Sequence, residues 1–571
     1  MAGEALVPTK RWLAATSAGS AMRDAVAGLV LSILLVPQAM AYAQLAGLPP
    51  QMGLFAALTP PLLYLFFGTS PFVSVGPVAL VSLVIGEAVG NTGLAPEVGA
   101  AIIAIEAGVL LLLLGGFGLG RLVNFISEPV LLGFTAAAAF LIAASQLPTL
   151  LGIDAARAGD LPTALSGLWA GLSELRPTTA LIGGAALIAL LFANRYAAAI
   201  LWKMGVKPPF RLALAKSLPL LVIVIAGWIA LSLRGANVPT VQSIEGGLPS
   251  PFTSFVTLSD WIGLLPSALA VAVIIFVTAT AVAKALAGED RSKLDTSREA
   301  VALGAANVSA ALTGGYAVGA SLSRSALVRD SGGRTPLASA IASLAIVAVL
   351  FFLAPLLSYL PRTALAALVI SAVFGLIDLR EMRAVWRHDR MEGVIILAAF
   401  LATLAFGVRL GLAVGALLGL AYFLWFSSVP RVTRVGTDDG GTSFRSIERD
   451  DVELTTLPAL VVRIDRSIYF ANAAYIEEEL FNRLSRHEGV TSLVLDMSAV
   501  NDIDASGVAM LRRSVQRLKS QGIALHFAEV HEPIAASLTS LDSQVCRFHR
   551  TVGQAVEEGC GVYLQTEIAP T

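Results

Sequence analysis

Val75 to Ser82 reads VGPVALVS, and Val318 to Ser325 reads VGASLSRS. At a constant offset of 243 positions Val75 falls on Val318, Gly76 on Gly319 and Ser82 on Ser325, while Val81 falls on Arg324. Each phrase breaks apolar sequence with a glycine and resumes with small or hydroxyl-bearing residues. Interrupted hydrophobic segments at corresponding places in two halves of a membrane chain point to facing half-helices around a binding site. A helix N-terminus offers unpaired amides and a positive dipole end, so the ligand expected there is an anion.

Composition agrees with a membrane chain. The 571 residues are 56% hydrophobic and 14% charged, with mean hydropathy +0.77, which excludes an ordinary soluble protein. A net charge of -1 gives no argument for a nucleic-acid partner. Cys546 and Cys560 lie in the polar C-terminal region without metal-ligand spacing, so free thiols in a reducing cytoplasm are expected. No metal-ligand cluster and no Gly-Lys-Ser/Thr phosphate loop occurs, so neither a cofactor nor an ATP-driven pump is expected, and nothing marks an enzyme. Residues 1–22 hold Lys10 and Arg11 without a short apolar core and cleavage site, and read as a cytoplasmic N-terminal segment.

After Arg23 and Asp24 an apolar run reaches Gly47, long enough at about 20 residues to cross the hydrocarbon core. Pro37 and Gln38 are expected to interrupt it. Met52 to Phe67 follows, carrying Pro60 and Pro61, then the first phrase, then runs ending at Phe117, Leu147, Ala193 and Leu233. The second set starts at Trp261, passes through the second phrase and ends at Trp425. The expected fold is an α-helical polytopic 7+7 inverted repeat over 23–430, of roughly fourteen segments with two half-helices. The repeats fall at about 23–234 and 260–430. With the N-terminus cytoplasmic, the internal loops hold Arg195, Lys203, Lys207, Arg211, Arg291, Lys293, Arg298, Arg329, Arg334, Arg380, Arg383, Arg387 and Arg390 among others. The external loops hold only Arg157, Arg176, Arg234, Arg362 and Arg409. That asymmetry predicts an inner (plasma) membrane protein with both termini cytoplasmic.

Beyond Pro430 the composition changes. Residues 431–441 read as a linker, with the turn-rich TDDGGT at Thr437 to Thr442. Strands at Leu460 to Asp465, Ser492 to Met497 and Ile523 to Glu529 alternate with helices at Ala473 to Arg486 and Ala505 to Leu518, which predicts a cytoplasmic α/β domain over 442–565 and a tail at 566–571.

Four stretches together resemble the sulfate permease (SulP) family of anion transporters, relatives of prestin and pendrin. They are PQAMAYAQLAGLPPQMGLFAAL from Pro37, SEPVLLGFTAAAAFLIAASQLPTLLG from Ser127, TGGYAVGASLSRSALVRDSGGRTPL from Thr313 and FRSIERDDVELTTLPALVVRIDRSIYFANA from Phe444. The C-terminal part is similar to a STAS domain. The resemblance implies a core domain moving against a gate domain, a homodimer, and a cytoplasmic STAS domain that takes a protein partner. The expected activity is exchange of a small anion, sulfate first. Chloride or bicarbonate conductance, C4-dicarboxylate transport and a STAS-mediated signalling role are the competing expectations.

The candidate site residues follow from both readings. Val78, Ala79 and Leu80 on the first phrase, and Ser321, Leu322 and Ser323 on the second, should present backbone amides, the two serines adding hydroxyls. Packing through small residues is the plainer alternative. Arg324 costs roughly 2.5 to 3.5 kcal/mol to place in a membrane, so it should face protein, water or an anion, or else snorkel to the cytoplasm. The resemblance implies for it the positive charge beside the site. Gln38 can donate to an oxyanion or cap carbonyls freed by Pro37, and Tyr42 follows on the same segment. The resemblance puts Thr278 where many members carry a coupling carboxylate, and a threonine cannot titrate. Glu106 is the remaining deep carboxylate and the candidate coupling group, or a hydrogen-bonding partner of a neighbouring helix. Asp504, Ala505, Ser506 and Gly507 match the D-x-S-G turn of STAS domains, whose serine can be phosphorylated; helix capping is the alternative role of Asp502, Asp504 and Ser506.

Overall fold

The computed structural model describes residues 12, 17–90, 92–125, 127–154, 159–207, 210–233, 237–241, 244, 247, 256–287, 294–437, 443–447, 459–487, 489–538, 541 and 546–560. Residues 1–11, loop cations Arg157, Arg234, Arg291 and Lys293, most of TDDGGT, and the tail lie outside the described residues. The chain divides into two units, Met1–Gly419 and Leu420–Thr571.

The first unit is helical. Its first half runs α1 (Ala18–Leu45), α2 (Pro50–Phe55), α3 (Thr59–Phe67), β1 (Val75–Gly76), α4 (Ala79–Gly90), α5 (Pro96–Gly116), α6 (Glu128–Leu151), α7 (Leu161–Ala170), α8 (Pro177–Lys203) and α9 (Phe210–Ser232). Its second half runs α10 (Leu258–Leu286), α11 (Thr296–Leu312), β2 (Gly319–Ala320), α12 (Leu322–Asp330), α13 (Leu337–Phe352), α14 (Ala354–Leu357), α15 (Arg362–Val373), α16 (Leu379–His388) and α17 (Arg390–Ser428). Gly407, at φ 84° and ψ 175°, breaks α17 into two spans, a conformation open to glycine. Nine helices among the described residues are long and apolar enough to cross a membrane. The half-helices α4 and α12 are shorter, because each begins only after its crossover strand.

Two bundles result. In one, α1, α3, α5, α10, α11 and α13 pack together; in the other, α6, α8, α9 and α15 do. α17 joins the second bundle, since Gly133 of α6 lies against the Ile396 carbonyl and Gly415 against Val130. Two buried carboxylates strap the repeats to each other. Glu299 on α11 accepts from Tyr64 Oη (2.8 Å), Thr69 N–H (2.7 Å), Thr69 Oγ1 (2.5 Å) and Ser70 N–H (3.1 Å). Asp24 on α1 accepts from Arg334 N–H (2.6 Å), Thr335 N–H (3.2 Å) and Thr335 Oγ1 (2.7 Å). Each carboxylate takes backbone amides and a threonine hydroxyl from the opposite repeat, which satisfies charges that would otherwise be costly to bury.

Two local expectations change. α1 passes through Pro37 without a break, because the segment is buried on nearly every side and its packing outweighs one missing backbone hydrogen bond. Arg380, Arg383 and Arg387, expected in a loop, lie on α16.

The second unit holds a six-stranded sheet in the order β4-β3-β5-β6-β7-β8, where β3 is Val432–Gly436, β4 Arg445–Ser446, β5 Leu460–Ile464, β6 Ser492–Asp496, β7 Ala524–Ala528 and β8 Cys546–His549. Strands β5 to β8 are parallel, while β3 runs antiparallel to β4 and β5. Alternation sorts the side chains. Leu460, Val462, Leu493, Leu495, Leu525 and Phe527 share a core with residues of α18 (Ala473–Ser485) and α19 (Ala505–Ser520). Val461, Val494 and Ala528 meet α21 (Val552–Cys560) on the other face, and α20 (Glu532–Leu538) lies between β7 and β8. The strand Val432–Gly436 falls where a linker was expected; it is short and carries Arg434, so its apolar pattern is weak.

Candidate functional site

The two phrases meet. β1 and β2 pair antiparallel, with Gly76 opposite Gly319 and Val75 opposite Ala320. The glycines aligned by sequence offset are thus the residues that face each other at the crossover. From this ladder the half-helices depart. Val78 caps α4, its carbonyl accepting from Ser82 N–H at 3.0 Å, so the first amides of the helix, beginning at Ala79 and Leu80, have no partner within it. Ser321 caps α12, its Oγ accepting from Arg324 N–H at 3.5 Å and lying 3.2 Å from Ser323 Oγ. One expectation is corrected here: the Ser321 amide does not face outward, because it donates to Ser74 O at 3.3 Å as a continuation of the ladder. Leu322 and Ser323 carry the leading amides of α12.

Arg324 reaches from α12 to the other phrase. It is 0% exposed, so it does not snorkel. Its Nη1 donates to Pro77 O at 2.7 Å, while Nε and Nη2 have no partner among the described residues. Nη2 lies 3.5 Å from the position a Cβ on Gly76 would take. Among the described residues no carboxylate is paired with it. Tyr42 and Tyr316 lie within its electrostatic reach, and Tyr316 Oη is 3.1 Å from Ser82 Oγ on α4. A buried guanidinium with two open donors, beside two helix N-termini, is complementary to an oxyanion, whose acceptor lone pairs match those donors.

Other expected site residues take different places. Gln38 is buried, and its Oε1 has no partner among the described residues. Thr278 is half-buried on α10, and its hydroxyl donates to Ile274 O at 2.6 Å, within its own helix. Ile275, one turn before, comes near Gly319. Glu106 is half-buried on α5, with Oε2 unpartnered among the described residues. Ser506 is exposed in the first turn of α19, and Asp504 is the cap, accepting from Gly507 N–H and Phe470 N–H at 2.8 Å each. These bonds hold the Asp504 carboxyl below the usual range, the Gly507 amide contributing most.

Three further residues were not among the expected site residues, although Ser325 closes the second phrase. Asn307 on α11 brackets Val318, accepting its N–H at 2.8 Å and donating to its carbonyl at 3.1 Å. Ser325 Oγ accepts from Ser74 N–H at 2.9 Å. Glu87, at the far end of α4, pairs with Arg409 at 3.0 Å, and Arg409 Nη1 donates to Ser267 Oγ at 3.2 Å. For Asn307 and Glu87 the only trace in sequence is a polar residue within an apolar run.

The Sulfate permease family model matches residues 22–399, and a STAS domain model matches residues 449–555. The chain belongs to the sulfate permease family. Members are transporters rather than enzymes. This permease is 33% identical over 554 residues to "Sulfate transporter 4.1, chloroplastic" of Arabidopsis thaliana, covering 94% of this chain and 79% of that one. It is 31% identical to "Sulfate transporter 1.3" of the same plant, covering 90% and 80%. Its fold matches the murine Slc26a9 anion transporter in the inward-facing state, with TM-score 0.87 at 20% identity, over 97% of this chain and 94% of that one. The transmembrane domain of the cyanobacterial bicarbonate transporter BicA matches at TM-score 0.58 and 19% identity, over 71% and 98%.

Proposed function

We propose that this permease is a secondary transporter of a small anion, sulfate first, working by elevator-like alternating access and in exchange mode. The observation that carries the reading is Arg324, fully buried between the paired crossovers with Nε and Nη2 unpartnered. The sulfate transporters named among its relatives support the choice of anion. The division into two bundles supports a movement of one against the other. Arg409 of α17 spans that division, to Ser267 of α10 and to Glu87 of α4, which packs on α1, α5 and α10, so a sliding step breaks these bonds. Exchange fits Thr278, whose hydroxyl cannot titrate and is bonded within its helix. The reading places the permease in the inner (plasma) membrane as a homodimer with both termini cytoplasmic, and the STAS domain as the surface for a cytoplasmic partner.

The test is labelled sulfate uptake into proteoliposomes of defined pH, with and without internal counter-anion, in competition with bicarbonate, chloride and C4-dicarboxylates. Saturable uptake that needs internal anion is expected, with sulfate the strongest competitor. Large currents without counter-anion would mean a conductance. No flux of any anion would leave the STAS signalling role as the better account.

A further inference from the structure

We propose that α16 and the groove beside it bind one anionic phospholipid, its acyl chain along the apolar wall and its phosphate on the arginines. Leu379, Met382 and Trp386 recur at i, i+3 and i+7, which sets them in one stripe. Arg380, Arg383 and Arg387 repeat the same spacing one residue later, so they form a second stripe along the border of the first. Glu381 and His388 fall on the remaining side.

Packing turns the apolar stripe into a wall. Met382 and Trp386 line a groove of about 340 Å³ with Phe140 of α6 and Phe400 of α17, and Arg383 is part of the same lining. Phe140 and Phe400 meet edge to face, with ring centroids 5.7 Å apart at 89°. The indole of Trp386 lies over Gly393, where no side chain intervenes. A groove of this volume is in the range of small-ligand sites.

Charge names the occupant. Arg380, Arg383 and Arg387 are exposed, and none forms an ion pair with a described residue. Other arginines of the chain are paired, such as Arg409 with Glu87 and Arg513 with Glu477. Asp378, at the start of the helix, accepts from the backbone instead, from Arg380 and Glu381 N–H at 3.0 Å each. A basic, amphipathic helix joining two membrane segments lies at the lipid interface, where apolar burial and attraction to anionic headgroups act together. Free phosphate would use the arginines and leave the groove without a role, whereas a phospholipid uses both.

The test uses the full chain in phosphatidylcholine nanodiscs doped with acyl-brominated phosphatidylglycerol or acyl-brominated phosphatidylcholine. Trp386 is one of seven tryptophans, and its emission is isolated by subtracting the Trp386→Phe protein. Brominated phosphatidylglycerol is expected to quench Trp386 at a several-fold lower mole fraction than brominated phosphatidylcholine. The triple variant Arg380→Gln, Arg383→Gln, Arg387→Gln should remove that preference. Equal quenching by the two lipids in wild type, or a preference that survives the triple variant, overturns the proposal. Native mass spectrometry of phosphatidylglycerol retained by wild type and by the triple variant tests the site without Trp386→Phe: equal retention sinks it, and selective loss in the variant supports it.

Discussion

The two crossovers share a backbone and differ in chemistry. At the first, Val78, Ala79 and Leu80 surround the helix start with apolar side chains, and the segment is held by groups of the other repeat: Glu299 on Thr69 and Ser70, Ser325 on Ser74, and Arg324 on Pro77. At the second, Asn307 of the same repeat holds Val318 in place, and Ser321, Ser323 and Arg324 stand at the helix start. The first crossover is a template of amides. The second holds the template and adds the charge. A helix N-terminus attracts any anion, so discrimination by charge and shape should reside on the second phrase.

Arg324→Gln tests this most severely. Hydrogen bonds to charged groups contribute about 1.5 to 3 kcal/mol each, so losing the guanidinium should lower anion affinity by at least about tenfold in the uptake assay. Affinity within twofold of wild type would place the site elsewhere. Asn307→Leu should come next, acting on fold rather than on ligand. It leaves both backbone groups of Val318 buried without partners, at about 1 to 3 kcal/mol each, and should lower the melting temperature in detergent, while Val78→Ala should not. Ser321→Ala with Ser323→Ala removes a helix cap worth about 1 kcal/mol and the hydroxyls beside it; a several-fold weakening is expected, against little change for Ala79→Ser on the first phrase. A larger effect on the first phrase would reverse the comparison.

Glycine replacement separates the crossovers more finely. A Cβ on Gly319 would meet Val78 Cγ2 at 3.1 Å, whereas one on Gly76 would find nothing nearer than Arg324 Nη2 at 3.5 Å. Gly319→Ala should therefore reduce uptake more than Gly76→Ala, which should matter mainly through Arg324. The smallest effect concerns pH, and it keeps the uptake comparison clean. His526 on β7 is held down to about 4 by burial first, then by His549 and Arg547, and burial with Arg547 also lowers His549. A histidine lowered in the fold contributes stability that is complete above its ordinary value near 6.5 and is lost as pH falls toward 4. Amide protection factors in β7 and β8, exchange rates corrected for the intrinsic pH dependence, should fall between pH 7 and 5, and His526→Phe should flatten that response. Crossover variants are accordingly to be compared at pH 7 and above.

Sequence reading located the crossovers because a repeated phrase needs no third dimension to be seen. It also separated the helical unit from the strand-and-helix unit, since the periods 3.6 and 2 differ. It read Pro37 as a break because a proline is a local signal, while the packing that carries α1 through it is not. It missed α16 as a helix because three arginines in ten residues read as loop charge until their spacing is set against a neighbouring apolar wall. Glu299 stood at the edge of an expected span beside Arg298, and nothing local distinguished its carboxylate from an exposed one.

The amino-acid sequence by itself determined that two interrupted helices exist, that the second bears the arginine, and that a hydroxyl stands at position 278. Only the tertiary structure decided that Arg324 is buried rather than solvated, that its guanidinium lies on Pro77, and that the Ser321 amide belongs to the ladder. The physical reason is distance along the chain. Arg324 and Pro77 are 247 residues apart, and hydrogen bonding between groups so remote depends on how two repeats pack, which no local pattern of residues encodes.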